Sequence, residues 1–580
     1  MFDVVLKGGT IVDGTGSPRY IADIGLRNGL IAKIDRVVNT SGCPHVIEAG
    51  GMIVAPGVID PHTHYDAQVH WDPYCTNSSW HGNTTVVVGN CGFGFMPCKA
   101  SDRDRYMLMM ENTEQVPLAA MQNALPWKWE SFTEWMAHAR QLKKGINLAA
   151  YMPLNSLMIY VMGYEAAKSR PATTTERSVM RDMLHEAMDA GAIGFAMSHL
   201  HHFNSHKDID FTPMPTDTMF PEDAVYLAEV LKERGEGVIQ CLCQLGPVDN
   251  SALAEELARA SKRPVLHNVI IAPDQAPEYH RGVMAWLDRM SAAGLNIYSQ
   301  SLAQRGWAEF NVIDVDTLWQ NVPPFEEFSR QIGAEAKAAL ARDPEFRARA
   351  RAQYDHDAMY GAGGPVETHQ LLDAKKTRFA ACEGLLLSEI AERESSKAID
   401  VLFDIVSETD ALAEFRTTSA TSTDPVKVED MLRHPKVLAG TSDGGAHVKF
   451  SAGGQFATDL IMWMAREEGR MTLEELHHLM SKRPADVIGL SDRGVLKEGF
   501  AADLYVYDLD SLGYDRDRYE IVHDLPDSDW RRVARARGVE WVVVNGTPIF
   551  RSGTDTGAYP GRMLGLGELR GRQDGAHAAA

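Results

Sequence analysis

Hydrophobic and polar residues alternate in short runs at both ends of the chain, and this period of two predicts β-strands. The runs lie at residues 3–7, 21–26, 30–34, 502–508 and 541–550. Asn28-Gly29 and Asn545-Gly546 supply the positive φ angles that tight hairpin turns need. The two ends are therefore predicted to build one small β-sandwich domain, from residues 1–54 together with residues 485–560.

Between the two ends, short apolar runs alternate with amphipathic stretches of helical period, which is typical of parallel βα units. Eight such runs lie at residues 53–59, 84–89, 146–152, 192–197, 237–242, 264–270, 296–301 and 437–442. Eight strands with helical crossovers predict an α/β fold, a closed (β/α)₈ barrel over residues 55–484. The chemistry of such barrels lies at the carboxyl ends of the strands.

The connection between the seventh and eighth runs, residues 303–436, is far longer than a usual βα loop. Its Ala-, Arg- and Glu-rich centre, residues 325–354, predicts a helical insertion. A lid over the barrel mouth and an arm that joins a second copy of the chain are both open, so a homo-oligomer is not excluded. Residues 561–580 are predicted to be a carboxyl-terminal tail.

Composition narrows the classes of partner. The chain has 580 residues with 57 Lys+Arg against 79 Asp+Glu, a formal net charge of −22, which argues against nucleic acid and anionic membranes. Its 7 cysteines are too sparse for a disulfide framework. No apolar run is long enough to span a bilayer, and the first residues lack a signal-peptide pattern. We therefore expect a cytoplasmic protein with neither membrane nor nucleic acid as partner.

Candidate metal ligands follow the first two predicted strands. His62 and His64 come directly after the first strand, and residues at i and i+2 of an extended segment point to the same side. Both imidazoles can therefore bind one metal ion, although surface or core histidines remain the alternative. Cys91 follows the second strand and is either a ligand or a small buried apolar residue.

A third candidate, Asp443, follows the eighth predicted strand. Because the eighth strand of a closed barrel adjoins the first, its carboxylate is predicted to approach His62 and His64. The alternative is an Asp that serves only the Asp443-Gly444 turn.

These motifs carry a resemblance to a known family. Residues 8–16, 55–66, 441–443 and 557–562, together with Cys91, resemble the amidohydrolase superfamily and, within it, the N-acyl-D-amino-acid deacylase (D-aminoacylase) branch. The resemblance implies a metal-containing barrel that hydrolyses an amide with metal-activated water. It also implies that Cys91 can bridge two metal positions, and the expected ion is Zn²⁺.

The sequence departs from the family where further metal-binding histidines are expected. At the end of strand five Leu242 occupies that place, between Cys241 and Cys243, and in strand six His267 comes two residues early. One ion held by His62, His64, Cys91 and Asp443 is favoured. Two ions remain open, with His267 and a cysteine of strand five as additional ligands.

Substrate recognition is also altered, because Ile271 and Gly454 stand where relatives carry cations for the substrate carboxylate. Tyr298, placed at the end of strand seven, matches a substrate-binding tyrosine of the family. His201, in a histidine-rich loop after strand four, and Lys449 are further substrate-binding candidates, with exposed surface positions as the alternative.

The function predicted from the sequence is metal-dependent hydrolysis of a linear amide, such as an N-acyl amino acid or a related N-acyl amine. Asp443 is the expected general base and then general acid. A small-molecule amide is thus the expected partner. The alternatives are a cyclic amide or imide hydrolase and a metal-free homologue that acts as a binding or scaffold protein.

Overall fold

The structure is a computed structural model that describes residues 1–245, 249–273, 276–313, 325–356, 364–417, 421 and 423–566. Its centre is an eight-stranded parallel barrel, as the sequence predicts. The barrel strands, numbered 1 to 8 in chain order, are Val58–Asp60, Asn83–Val88, Asn147–Ala150 with Met152–Pro153, Gly194–Ser198, Val238–Leu242, Val265–Ile270, Ile297–Ser301 and Val437–Ala439.

The barrel closes between strands 8 and 1, beyond their last regular residues. Thr63 and Gly444 form an isolated parallel bridge there, and the His64 N–H donates to the Gly444 carbonyl at 2.8 Å. Strand 3 joins the two halves of the barrel, because its first part pairs with strand 2 and its second part with strand 4. The carboxyl ends of strands 1 and 8 are therefore neighbours.

The run at residues 53–59, predicted as one barrel strand, is divided between two sheets. Ile53–Pro56 pairs with strands of the terminal sheet, and Val58–Asp60 pairs with barrel strand 2. Gly57 lies between them, where a β-carbon would be 2.1 Å from Thr84 Oγ1. Because only glycine fits so close to strand 2, the prediction of one continuous barrel strand is wrong at this point.

Strands from both ends of the chain form a nine-stranded sheet. In spatial order its strands are Thr554–Asp555, Thr547–Arg551, Val539–Val544, Leu504–Tyr507, Ile53–Pro56, Val4–Ile11, Tyr20–Arg27 and Leu30–Asp35, with His45–Glu48 beside Val4–Ile11. Alternate residues such as Val4, Leu6 and Ile24 are buried in its own apolar core. The chain termini thus fold together beside the barrel.

Helices cover the outside of the barrel. They are Arg103–Glu114, Leu118–Ala124, Phe132–Gln141, Leu154–Met162, Tyr164–Ser169, Thr174–Ala190, Pro221–Arg234, Ser251–Ser261, Tyr279–Ala292, Pro425–Arg433, Phe456–Leu460, Leu473–His477 and Arg483–Ile488. Their amphipathic pattern explains the packing: Tyr279–Ala292, for example, buries Trp286 and Leu287 against the strands. Of the described helices, none is long and apolar enough to cross a membrane.

The insertion between strands 7 and 8 has an apolar core of its own. Its helices are Phe325–Ser329, Gly333–Arg342, Pro344–Gln353, Leu387–Glu394 and Ala398–Glu408, and its antiparallel sheet contains Glu309–Phe310, Gln370–Asp373 and Glu414–Arg416. The prediction of a helical insertion is confirmed, whereas the sheet was not predicted. Phe450, which follows barrel strand 8, belongs to this core, so the insertion packs against the loop that carries Asp443.

The predicted tail begins later than residue 561. The Gly561 N–H donates to the Lys144 carbonyl at 2.8 Å, and the Leu564 N–H donates to the Leu148 carbonyl at 2.7 Å. Residues 561–566 therefore pack along barrel strand 3, and the rest of the predicted tail, 567–580, lies outside the described residues.

Candidate metal centre

His62 and His64 lie at the carboxyl end of barrel strand 1, and both side chains are buried. The His62 N–H donates to the Asp60 carboxylate at 3.2 Å, and the backbone of His64 is held by Gly444. Their ring centres are 5.4 Å apart. The spacing of i and i+2 thus brings both imidazoles to one side, as predicted.

Cys91 lies in a tight turn after barrel strand 2 and is 2% exposed. Its φ of +56° is left-handed, and its N–H donates to Gln240 Oε1 at 2.7 Å. This turn aims the thiol back into the barrel, with Sγ 3.5 Å from His62 Nε2.

Asp443 reaches the same place from barrel strand 8. Its Oδ1 is 3.4 Å from His62 Nε2 and 3.9 Å from His64 Nε2, and one third of its side chain, 33%, is exposed. These distances agree with the prediction that Asp443 approaches His62 and His64 because strand 8 adjoins strand 1. Asp443 is therefore open to a substrate, whereas the two histidines are enclosed.

The geometry of His62, His64 and Cys91 fits a zinc ion. One ligating atom from each lies within 4.8 Å of the others, and all three residues are buried. A thiolate and an imidazole on one tetrahedral zinc ion are roughly 3.6 Å apart, close to the 3.5 Å between Cys91 Sγ and His62 Nε2. Imidazole and thiolate are donors that zinc prefers, so the residues present suit the ion that the sequence predicts.

Burial sets the protonation of these groups. It lowers the pKa of His62 and His64, which keeps both imidazoles neutral and able to bind metal. Burial also raises the pKa of the Cys91 thiol, with the carboxylates of Glu114 and Asp443 adding to the effect. The pKa of Asp443 is raised by burial as well, against the influence of nearby His62. A bound cation would stabilise the charged forms of both groups, the Cys91 thiolate and the Asp443 carboxylate.

Carboxamides from strands 5, 6 and 7 surround the histidines. Gln300 Oε1 lies 3.1 Å from His62 Nδ1 and accepts its proton in the Nδ1–H tautomer, and Asn268 Nδ2 is 3.3 Å from the same nitrogen. Gln240 holds the backbone of Cys91. With its proton on Nδ1, His62 presents a free Nε2 to Cys91 and Asp443. The sequence analysis missed these residues, whose only signal is a polar side chain within a buried strand.

The structure does not bring His267 to this centre. Its Nδ1 is 2.7 Å from Ser299 Oγ, its Nε2 is 3.0 Å from the Cys243 carbonyl oxygen, and its ring packs against Trp286 of an outer helix. Because successive strand residues face opposite sides, Asn268 points into the barrel and His267 points outward. Cys241 and Cys243 belong to no three-residue ligand cluster of the described residues.

Tyr298 also lies elsewhere than expected. It precedes Gln300 by two residues, so it is about 6–7 Å nearer the amino end of strand 7. There the Lys436 ammonium lies 4.2 Å from its ring centre. The expected position at the carboxyl end of the strand is wrong, because the strand continues to Ser301.

The other two predicted substrate residues are not in the metal centre. His201 is exposed, and its ring lies 4.4 Å from that of His199. Lys449 Nζ is 2.7 Å from the Asp529 carboxylate and 2.8 Å from the Trp530 carbonyl, in the wall of a cavity of about 630 Å³. Lys449 is therefore paired rather than free.

A second cluster of ligating groups lies beside the first. Glu114, His206 and His447 each place one such atom within 4.8 Å of the others. Glu114 ends the helix Arg103–Glu114, and its Oε1 is 3.8 Å from His64 Nδ1. His206 belongs to the histidine-rich loop that suggested His201, and His447 follows Asp443 by four residues. Glu114 had no sequence signal, because its neighbours come from distant segments.

Comparison with known proteins supports this description of the fold. A D-aminoacylase of Alcaligenes xylosoxydans xylosoxydans is 26% identical over 97% of this chain and 97% of its own. The structure of N-acyl-D-glutamate deacylase from Bordetella bronchiseptica, complexed with zinc and a phosphonate inhibitor, has a TM-score of 0.63 at 24% identity, covering 97% of this chain and 99% of its own. A D-aminoacylase structure described for its binuclear metal centre has a TM-score of 0.64 at 21% identity, covering 97% and 100%.

The sequence model of the amidohydrolase family matches residues 45–550, which include the whole barrel and every residue of the metal centre. The fold that this chain shares with the two solved structures agrees with that match. The chain belongs to the amidohydrolase family.

Proposed function

We propose that the protein is a metal-dependent amidohydrolase that cleaves a linear amide into a carboxylic acid and an amine. The observation that carries the proposal is the buried His62, His64 and Cys91 cluster with the accessible Asp443 carboxylate at its edge. The resemblance to deacylases of N-acyl-D-amino acids supports this reaction class.

His62, His64 and Cys91 would hold a divalent ion, with Asp443 beside it. Such an ion, when bound, acidifies a water molecule and polarises the scissile carbonyl. Gln300 keeps the proton of His62 on Nδ1, so Nε2 stays free for the ion. The burial of the two histidines keeps bulk water from competing for their nitrogens.

Asp443 moves the proton. Its carboxylate lies within 4 Å of both imidazoles and is partly open to solvent, so it reaches a water molecule on one side and a substrate on the other. Asp443 Oδ1 takes the proton of the attacking water and then gives it to the leaving nitrogen, as a general base and then a general acid.

The substrate within this class remains part of the proposal. Lys449 is bound to Asp529, so its use for a substrate carboxylate requires that this ion pair open. This observation favours testing neutral N-acyl amines beside N-acyl-D- and N-acyl-L-amino acids. Cyclic imides belong in the same panel, since they represent the alternative reaction.

The test is hydrolysis of this panel by zinc-loaded protein, with Asp443→Asn as the decisive variant. We expect kcat per bound zinc ion to fall by about 10²-fold or more in Asp443→Asn, with the zinc content of every sample measured. Asp555→Asn, at an exposed position of the terminal sheet, is the matched control and should retain full activity.

Full activity in zinc-loaded Asp443→Asn would remove Asp443 from the mechanism. Turnover of cyclic imides alone would favour the alternative reaction. An inactive zinc-loaded protein on every compound of the panel would contradict the proposed function.

A further inference from the structure

We propose that Glu114, His206 and His447 form a second divalent-metal site, built from residues other than the strand-five and strand-six histidines that the family resemblance implies. The ligands are one carboxylate and two imidazoles, a donor set that zinc accepts in sites with an open coordination position. The inference concerns metal binding alone and does not depend on the proposed amide hydrolysis.

The Glu114 carboxylate is the main evidence. The residue is fully buried, and within the described part of the chain neither Oε1 nor Oε2 has a hydrogen-bond partner. A buried carboxylate without a partner is costly, because it loses its hydration without compensation. Glu114 also ends a helix of 12 residues, where the helix dipole is negative and disfavours a further negative charge. A cation in this place would compensate both costs.

Imidazoles surround this carboxylate. His447 Nε2 is 3.6 Å from Oε2, and His206 Nδ1 is 3.8 Å from Oε1. These separations are too long for good hydrogen bonds. Two ligands on one tetrahedral zinc ion are roughly 3.4 Å apart. Each imidazole lies within a few tenths of an ångström of that separation from the carboxylate, and all three ligating atoms lie within 4.8 Å of one another.

The backbone holds the cluster together. The His447 N–H donates to the Glu114 carbonyl at 2.6 Å, which fixes the loop after strand 8 to the end of the helix. The His206 ring packs at 5.7 Å from Phe93, and the His447 ring at 5.0 Å from Phe450. The ligands therefore come from separate segments that packing already holds in place.

His64 lies between the two sites. Its Nδ1 faces Glu114 at 3.8 Å, and its Nε2 faces Asp443 at 3.9 Å. The alternative role of Glu114 follows from this position: it would only orient His64 as a carboxylate partner, without a second ion. The two roles predict different metal contents, because only the second site needs His206 and His447.

The test is metal analysis of purified protein that has been stripped, saturated with Zn²⁺ and freed of excess ion. We expect about two zinc ions per chain in the unaltered protein and about one in Glu114→Gln, His206→Asn and His447→Asn. His201→Asn, in the same loop as His206 but exposed, is the matched control and should retain two. Cys91→Ser should lose the first ion and retain the second.

Titration with Co²⁺ separates the sites by spectrum. Only the site with Cys91 gives a thiolate-to-cobalt charge-transfer band, so this band should persist in His206→Asn and disappear in Cys91→Ser. The proposal is overturned if the unaltered protein binds one ion and both His206→Asn and His447→Asn bind one ion as well. If, in addition, only Glu114→Gln binds its one zinc ion more weakly than the unaltered protein, the role of Glu114 is to orient His64. Amidase activity enters none of these measurements, so the inference can fail while the proposed function stands.

Discussion

At the scale of single residues, the metal centre depends on the hydrogen bond that Gln300 accepts from His62. Removing that acceptor frees the ring to change its tautomer and its orientation. We expect Gln300→Leu to weaken zinc binding about 10–100-fold, as loss of such outer partners typically does. Competition with a chelator of known affinity measures the change.

The neighbouring Ser299 provides the control for this prediction. Its hydroxyl bonds to His267, on the outer side of the same strand. Ser299→Ala should leave zinc affinity unchanged within about two-fold, because the outer side does not contact the ion. Equal losses in the two variants would contradict the assignment of Gln300 to the metal centre.

His477 gives a prediction of pH dependence at the same scale. Its Nε2 is 2.9 Å from the Tyr507 hydroxyl, and burial, with the nearby Arg19, lowers its pKa to about 3. Between pH 7 and pH 5 the unfolded chain binds a proton at this histidine and the folded chain does not. The free energy of unfolding therefore decreases as the pH is lowered from 7 to 5, and this residue contributes about 2 kcal/mol to the decrease.

His477→Gln keeps a hydrogen-bond donor for Tyr507 and does not titrate. Urea unfolding of both proteins between pH 7 and pH 5 should show the unaltered protein losing about 2 kcal/mol relative to the variant. If the two stability curves run parallel, His477 is not buried in its neutral form.

At the scale of elements, the sequence predicts the position of nearly every barrel strand but not the direction of each side chain. His62, His64, Cys91 and Asp443 follow strand ends, where the direction is set by chain geometry alone, and these residues do meet. His267 lies inside a strand that is buried on both faces, so no alternation of polar and apolar residues marks its outer side. Glu114 meets His206 and His447 only through folding, and no local pattern joins them.

The insertion is an element with its own core, and this separation can be tested. Phe403 packs against the rings of Phe325, Phe328 and Phe346. Phe403→Ala should destabilise the insertion by about 3–5 kcal/mol. Amide hydrogen exchange should then accelerate in residues 325–356 and 387–408, and the barrel strands should exchange as before.

Phe132→Ala serves as the matched variant, because Phe132 belongs to the core of the barrel. It should accelerate exchange in the helix Phe132–Gln141 and leave the insertion unchanged. A uniform increase throughout the chain in both variants would show that the two cores open as one unit.

At the scale of the whole molecule, Asp503 joins three distant parts of the chain. Its carboxylate forms an ion pair with Arg493, accepts the Asn545 N–H at 2.7 Å and accepts the side chain of Asn147 at 3.0 Å. Among the residues that the structure describes, Asp503→Ala leaves Arg493 with one carboxylate partner, Asp492. Removing a partner from a buried ion pair typically costs about 3–5 kcal/mol.

Urea unfolding followed by both fluorescence and circular dichroism measures this loss. Asp35→Ala, which removes an exposed partner of Lys33, is the control and should cost at most about 1 kcal/mol. Similar losses in the two variants would mean that Asp503 does not connect the terminal sheet to the barrel.

The ligands at the barrel mouth also determine the net charge of the ion and its ligands together. In the metal-bound form the Cys91 thiolate and the Asp443 carboxylate each carry one negative charge, whereas His62 and His64 carry none. A divalent ion therefore produces a neutral assembly, while a monovalent or trivalent ion leaves a net charge in an enclosed place, at considerable cost. Asn268, whose carboxamide lies beside His62, adds no charge to this balance. We therefore expect the centre to discriminate among ions by their valence as well as by their preferred ligands.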